Sequence, residues 1–466
     1  MLPDDFVFLN LNTLANHIDD VAEAMSHPPQ RDPARIWFNK IDAMLRSPSD
    51  TQMIISETVR FQKLVKSNFW KGFLASALVD AREIRRIRTR LGCFRSLWGV
   101  TPNIGLTRTV IADRSIGVDA ESLVFTGPCE TSAFDINLAK HVEVLLAGDQ
   151  NLHEALCWMV LCWALISYDI FFFFNDRGIL LPTEPTGRFT MGINIEELSL
   201  IRRADKLLYT LAYGADYRTR GRATAQGHFN YCMDCPSVGA FCFCNDEKWP
   251  AVFHPIAAYA TAMLGAGLAT REIPGARRFD YVVVDTAAIK PVYSHLDPGR
   301  NIRILHVANH GFFKGTRYLE AAIKQLKDEG APIEFTLVSD VSNDEALELM
   351  RGSDILVDQL ISGYFGQAAL EGMALGKVVI VYLADPSLVL APQECPLINA
   401  NPDTVYSVLK ELIEAPIALA AVGQLSRRYV ENHYSIPALG HRLRELYRET
   451  AGITLSSNVD ASPVGE

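Results

Sequence analysis

The fold is decided by one continuous stretch: RILHVANHGFFKGTRYLEAAIKQLKDEG (303–330), IEFTLVSD (333–340), NDEALELMRG (343–352), DILVDQ (354–359), GQAALEGMALG (366–376) and VVIVYL (378–383). RILHVA is a strand, KGTRYLEAAIKQLKDEG a helix with a glycine stop, and IEFTLVSD a strand. NDEALELMRG is a helix opening on Asn343 as its cap, and DILVDQ is a strand. GQAALEGMALG is a helix ending at Gly376, and VVIVYL is a strand. Four strands separated by helices of roughly ten to sixteen residues predict a parallel sheet with right-handed crossovers.

Working outward, LDPGRN (296–301) reads as a Pro/Gly hinge, residues from about 402 to 450 as helices, and ITLSSNVDASPVGE as a loose tail. Upstream, SLWGV, AESLVF, YDIFFFF (168–174), KLLYTLAY (206–213) and FDYVVVD (279–285) read as strands, with the helix LTRTVIADRSIG between the first two. That alternation predicts an earlier α/β domain. Residues 1–94 look mainly helical. The expected division is a helical extension (1–94), a first Rossmann-like domain on the acceptor side (95–297), a second that binds the nucleotide sugar (298–450) and a tail (451–466).

Composition narrows the function. With 49% hydrophobic and 21% charged residues the chain is globular rather than disordered. A formal charge of −10 argues against a general nucleic-acid binder, which carries a basic excess. MLPDDFVFLN has acids where a secretory signal has Lys or Arg. The apolar run Ala155–Tyr168 is short for a bilayer span and stops at Asp169. These features point to the cytoplasm, and nine cysteines there to thiols or a metal site rather than disulfides.

In open parallel sheets, ligands sit beyond the carboxyl ends of the strands, where helix N-termini offer N–H groups to anions. Two turns of the decisive stretch have that placement. One is Asn309-His310-Gly311-Phe312-Phe313-Lys314-Gly315-Thr316. The other is Ser362-Gly363-Tyr364-Phe365-Gly366. Each alone is weak: the order Lys-Gly-Thr is not a Walker A loop, and a solvated lysine at a helix start is the ordinary case. Taken together, RILHVANHGFFKGT and SDILVDQLISGYFGQAALEGMALGKVVIVY resemble group 1 (family 4) glycosyltransferases of the GT-B fold.

The resemblance covers residues 300–450 and reaches KLLYTLAYGADYRTR more faintly. It implies two Rossmann-like domains facing across a cleft, and a nucleotide-sugar donor whose sugar passes with retention to a glycan, lipid-linked or protein acceptor. It implies that Lys314 contacts the donor diphosphate and Glu371 the ribose hydroxyls. The backbone of Gly363, Tyr364, Phe365 and Gly366 would cradle phosphate and sugar, with Asn309 and His310 nearby. Asp216 and Arg218 follow a first-domain strand and face an entering sugar, or else stabilise a turn. Asn103 and Gly105 take a similar place at the cleft edge. The family often carries a second glutamate where this chain has Gly363, and a histidine where it has Tyr213. Those departures keep open a non-catalytic protein of the same fold that binds a partner protein or a glycan. No Asp-x-Asp occurs, so the metal-dependent way of holding a nucleotide diphosphate has no residues here.

Two clusters stand outside this scheme. Cys232, Cys235, Cys242 and Cys244 gather four of the nine cysteines into thirteen residues, a spacing that can close a tetrahedral, structural zinc site and pin a loop near Asp216. Free thiols are the alternative. Arg82, Arg85, Arg86, Arg88, Arg90 and Arg95 are interleaved with Leu78, Ile84, Ile87 and Leu91. This basic amphipathic helix suits either an anionic membrane surface, such as the inner face of a membrane, or packing on the next domain.

Overall fold

The computed structural model describes residues 33–46, 51–102, 105–126, 134–148, 150–180, 192–295 and 299–455. The chain divides into two compact units. Met1–Asp216, Pro250–Leu264 and Leu443–Glu466 form one; Tyr217–Trp249 and Gly265–Arg442 form the other.

The first unit is built on parallel strands β1 (Arg95–Val100), β2 (Asp119–Val124), β3 (Ile136–Asn137), β4 (Ile170–Phe174), β5 (Leu207–Leu211) and β6 (Ala262–Gly265). Their order is β3-β2-β1-β4-β5-β6. Leu97 lies opposite Glu121 on one side and Phe171 on the other. Strand β4, IFFFF, is buried along its whole length, as a central strand covered on both faces must be. Trp98 stacks on Phe172 with ring centroids 3.7 Å apart, and Phe172 on Tyr209 at 4.9 Å. The apolar run upstream of β4 is the helix Gln150–Ser167. Its apolar residues lie all round, and it packs against the helices Thr51–Val65, Trp70–Leu91 and Ala139–Gly148, the placement such a helix requires. Among the described residues no helix is long and apolar enough to cross a membrane.

The arginine-rich segment is the end of the helix Trp70–Leu91, closed by Gly92 at φ 68°. Arg88 donates to the Ser167 carbonyl at 2.8 Å and to the Asp169 carboxylate at 3.3 Å. Arg85 donates to the Asp169 carbonyl, Arg82 to the Arg203 carbonyl, and Arg95 to Asp119 and Glu121. Most of this charge is spent on the strand ends beside it. Arg86, with Glu83, and Arg90 remain turned outward.

In the second unit, after the two-residue β7 (Arg277–Arg278), strands β8 (Ile302–Val307), β9 (Ile333–Val338), β10 (Ile355–Val357), β11 (Val378–Val381) and β12 (Ile398–Asn399) form a parallel sheet in the order β12-β11-β10-β8-β9. Alternation along β11 shows both faces covered. Val379 and Val381 join Leu370, Met373 and Tyr429 in one core, while Val378 and Ile380 join Leu319, Ile323 and Leu409 in another. The helices Val405–Glu414 and Ala418–His433 belong to this unit; of the last helix, Ile436–Ala451, the residues from Leu443 onward count with the first unit.

Two sequence expectations are corrected. FDYVVVD is not a sheet strand: it is buried, extended chain whose one β-contact is the isolated bridge Val284–Ser435. An apolar run signals burial, and burial here comes without a strand ladder: Phe279 N–H reaches the Gly265 carbonyl at the end of β6, and beyond it Val284 makes a lone bridge. The cap of the helix Asn343–Gly352 is Ser342, not Asn343. Its hydroxyl accepts the Glu345 N–H while Glu345 reaches back, a capping box. That frees the Asn343 side chain for another task.

Candidate functional site

The two glycine-rich turns leave the carboxyl ends of β8 and β10, which are adjacent in the sheet. Ahead of the first, inside β8, stands His306, which is fully buried. Its Nδ1 lies 2.7 Å from the Val357 carbonyl, which can only accept, so Nδ1 carries the proton and Nε2 accepts from the Thr316 hydroxyl at 2.8 Å. Burial, with the Lys314 ammonium nearby, pushes the imidazole down to about 4, so it is neutral near pH 7. Neutral His306 thus ties β8 to β10 and fixes the start of the helix Thr316–Asp328.

Before that helix, Gly311–Lys314 makes a single helical turn and Gly315 reverses the chain at φ 76°. A β-carbon on Gly315 would meet Leu360 and Ile361 at 3.2 Å. This aims Lys314 back at the strand ends, where its Nζ donates to the Val307 carbonyl and to Asp358 Oδ1, both at 2.8 Å. Asp358 is buried, and its Oδ2 accepts the Gly366 N–H at 2.8 Å. A single carboxylate therefore joins the two turns. Neither Asp358 nor His306 stood out in the sequence; a charged residue ending the apolar strand ILV was the available signal.

The second turn opens the helix Gln367–Ala374, which has Gly366 as its N-cap and no side-chain cap. Glu371 lies on this helix, 2% exposed. Its carboxylate accepts from Gln367 Nε2 at 3.0 Å and from Asn343 Nδ2 at 3.3 Å. Tyr364 and Phe365 turn inward instead of outward. The Tyr364 hydroxyl donates to Asp280 at 3.0 Å, its ring stacks on Phe365 at 4.4 Å, and Phe365 packs on Tyr434. The Phe365 ring is buried and the Tyr364 ring half-buried, so the backbone is what this turn chiefly presents. Gly363 sits at φ 80°, where a β-carbon would stand 3.0 Å from both Ala384 Cβ and Leu268 Cδ1. Asn309 Oδ1 accepts the Asp340 N–H at 3.2 Å, and the exposed His310 packs on Phe241.

In the first unit, Asp216 is fully buried and its carboxylate accepts the N–H groups of Tyr213, Gly214 and Asn175 at 3.0, 3.0 and 3.2 Å. Burial, and then the neighbouring Asp176 charge, push it up to about 7. Its geometry is that of a turn lock at the ends of β4 and β5. Asp176 collects Thr101, Arg177 and Tyr213. Beside it the Asn175 carboxamide is buried with neither atom hydrogen-bonded, the kind of orphan that marks a place where a ligand or water is received. The Asn-Asp pair directly after FFFF was the signal for both. Gly105 caps the helix Leu106–Arg114; Asn103 lies outside the described residues.

Arg218 belongs to the second unit. Its guanidinium stacks over the Tyr231 ring at 3.3 Å, beside the four clustered cysteines. Cys232, Cys235, Cys242 and Cys244 line a common hollow with Arg218 and Phe313. Burial raises the Cys232 thiol to about 11 and raises Cys242 as well, Arg218 pulling the latter back. Among the described residues no three His, Cys, Asp or Glu side chains are already drawn together as ligands of one ion.

No family profile matches the chain, and no curated protein matches its sequence. Solved structures do. Sucrose-phosphate synthase from Thermosynechococcus elongatus aligns at TM-score 0.50 and 14% identity over 76% of this chain and 98% of that one. HepE from Anabaena, in complex with UDP-glucose, aligns at TM-score 0.46 and 11% identity over 76% of this chain and all of that one. A glycosyltransferase from Rickettsia africae aligns at 0.46 and 11% over 77% and 98%. The likeness to the synthase is one of fold: two parallel sheets with interleaved helices, the α/β architecture of the GT-B class.

Proposed function

We propose that this chain is a glycosyltransferase resembling group 1 (family 4), and that its second unit binds the nucleotide-sugar donor. The observation that carries the reading is the pair of glycine-rich turns at adjacent strand ends, linked by Lys314, Asp358 and Gly366, with the Glu371 carboxylate on the helix that follows. Lys314 and the N-terminal N–H groups of the helices Thr316–Asp328 and Gln367–Ala374 supply fixed positive potential for a leaving diphosphate. Glu371, steered by Asn343 and Gln367, supplies acceptors for ribose hydroxyls. The sugar passes with retention, without help from a metal ion, to a glycan, lipid-linked or protein acceptor. The setting in this reading is the cytoplasm or the inner face of a membrane.

The test is a thermal-shift panel of nucleoside diphosphates and sugar nucleotides, followed by NMR of product from any donor that turns over. A binder stabilises the fold by RT ln(1 + [L]/Kd), so a shift is expected for one base. Absence of any shift up to millimolar concentrations refutes the reading. A second reading, a non-catalytic protein that keeps the donor fold and binds a partner protein or a glycan, is favoured by the geometry at Gly363, where a β-carbon would be crowded by Ala384 and Leu268 at 3.0 Å. Diphosphate binding without turnover of any donor selects it.

A further inference from the structure

Four of the nine cysteines, Cys232, Cys235, Cys242 and Cys244, line one hollow of ≈10 Å³, about the room of a single water-sized sphere. The loop that carries them is built rather than slack. The Asn230 carboxamide, 5% exposed, donates to the Gly227 carbonyl at 2.8 Å and accepts the Cys232 N–H at 3.0 Å. Cys235 N–H turns back to the Cys232 carbonyl at 3.4 Å. Cys244 holds a left-handed φ of 64°, rare for a residue with a β-carbon, and its N–H is tied to the Arg218 carbonyl at 2.9 Å. Backbone strain of this kind persists where the surroundings dictate it.

We propose that these four cysteines hold one zinc ion, which clamps this loop onto the Asn309–Thr316 turn. The thiols lose four protons to solvent and form four Zn–S bonds, leaving no position for water. The four residues line one hollow but are not yet gathered as ligands, so binding requires their sulfurs to draw together on the ion. The doubly negative site would be offset by Arg218, which hydrogen-bonds Cys242. The contacts to the turn are in place. Phe241 lies 5.2 Å from Phe312 and 5.7 Å from Phe313, Tyr231 lies 6.3 Å from Phe313, and Asp234 pairs with Arg317 and accepts from the Tyr318 hydroxyl. The site does not depend on what the turn binds.

The experiment is metal analysis of the full chain, purified under reducing conditions without added zinc. About one equivalent is expected, and replacement by Co²⁺ should give a thiolate-to-cobalt charge-transfer band. Cys232→Ser/Cys235→Ser should lose both, and Cys395→Ser should keep both. Removing the metal with a chelator should speed amide exchange in segments 228–244 and 309–316 by about tenfold or more. The cobalt spectrum of the unaltered chain decides the matter even where a serine variant does not fold. Four titratable thiols, with no metal retained after incubation with zinc, overturn the proposal.

Discussion

Lys314 Nζ and Asp358 Oδ1 stand 2.8 Å apart at the ends of two neighbouring strands, and the other oxygen of Asp358 holds the Gly366 N–H. Lys314 is therefore a strut as well as a candidate ligand, and simple removal confounds the two roles. Lys314→Met leaves a buried carboxylate without its cation, which costs about 3–5 kcal/mol. Lys314→Met/Asp358→Asn removes the stranded charge while keeping an acceptor for Gly366, and should recover most of that loss in urea unfolding. Both variants should lose diphosphate affinity roughly ten- to hundredfold in calorimetry, the worth of one charge-assisted contact. A double variant that binds as the unaltered chain does would make Lys314 a strut only.

At Gly363 two effects can be separated. The backbone at φ 80° penalises any β-carbon, and Ala384 and Leu268 crowd the same position at 3.0 Å. Gly330 has φ 82° with nothing within 4 Å, so Gly330→Ala measures the backbone cost alone, about 1–2 kcal/mol. Gly363→Ala should cost about 1–3 kcal/mol more, since overpacking adds to it. Equal losses at the two positions would show that crowding does not exclude a glutamate from position 363.

The second sheet was legible because its strands and helices alternate in period and its turns carry glycine, so local pattern and tertiary role agree. RILHVA, IEFTLVSD, DILVDQ and VVIVYL all hold strands where expected. FDYVVVD failed because apolar runs report burial, and pairing depends on whether a neighbour is present. The direction in which the turn rotates the Tyr364 and Phe365 rings, toward Asp280 and Tyr434, was not legible, because side-chain rotation in a turn depends on neighbours distant in sequence. Asp358 escaped notice because its partners, Lys314 and Gly366, lie on opposite sides of it in sequence. The cysteines were visible as a cluster, but their neighbour across space, Phe313, was not.

Two buried groups, Glu197 and His306, should contribute oppositely to the pH dependence of stability. Burial raises Glu197 to about 7 from 4.5, against the N–H groups of Ile179 and Leu180 that it accepts. Its contribution is fully present below pH 4.5 and is lost as pH rises through about 7. His306 goes the other way: lowered to about 4 from 6.5, its contribution is present above pH 6.5 and lost as pH falls through 4. Each is on the order of 3 kcal/mol over its window. Glu197→Gln should flatten the decline of stability between pH 5 and 8, and His306→Asn the decline from pH 7 to 5. Unchanged slopes in denaturant unfolding would contradict these assignments.

Arg88 and Arg86 share a helix and differ in what they face. Arg88 neutralises Asp169, 1% exposed, together with the buried Lys206, whereas Arg86 is 66% exposed beside Glu83. Arg88→Ala should cost about 1.5–3 kcal/mol, because a charged hydrogen bond to a buried carboxylate is lost while Lys206 still compensates in part. Arg86→Ala should fall within about 0.5 kcal/mol of the unaltered chain, as exposed pairs do. The same partition bears on lipid. A basic residue near an anionic surface contributes about 1 kcal/mol, but Arg82, Arg85, Arg88 and Arg95 are already bonded within the first unit. With Arg86 and Arg90 left to face lipid, the segment should hold anionic liposomes weakly, and salt should abolish the binding. Tight sedimentation with anionic vesicles that Arg86→Ala/Arg90→Ala reverses would show instead that this face is a membrane surface.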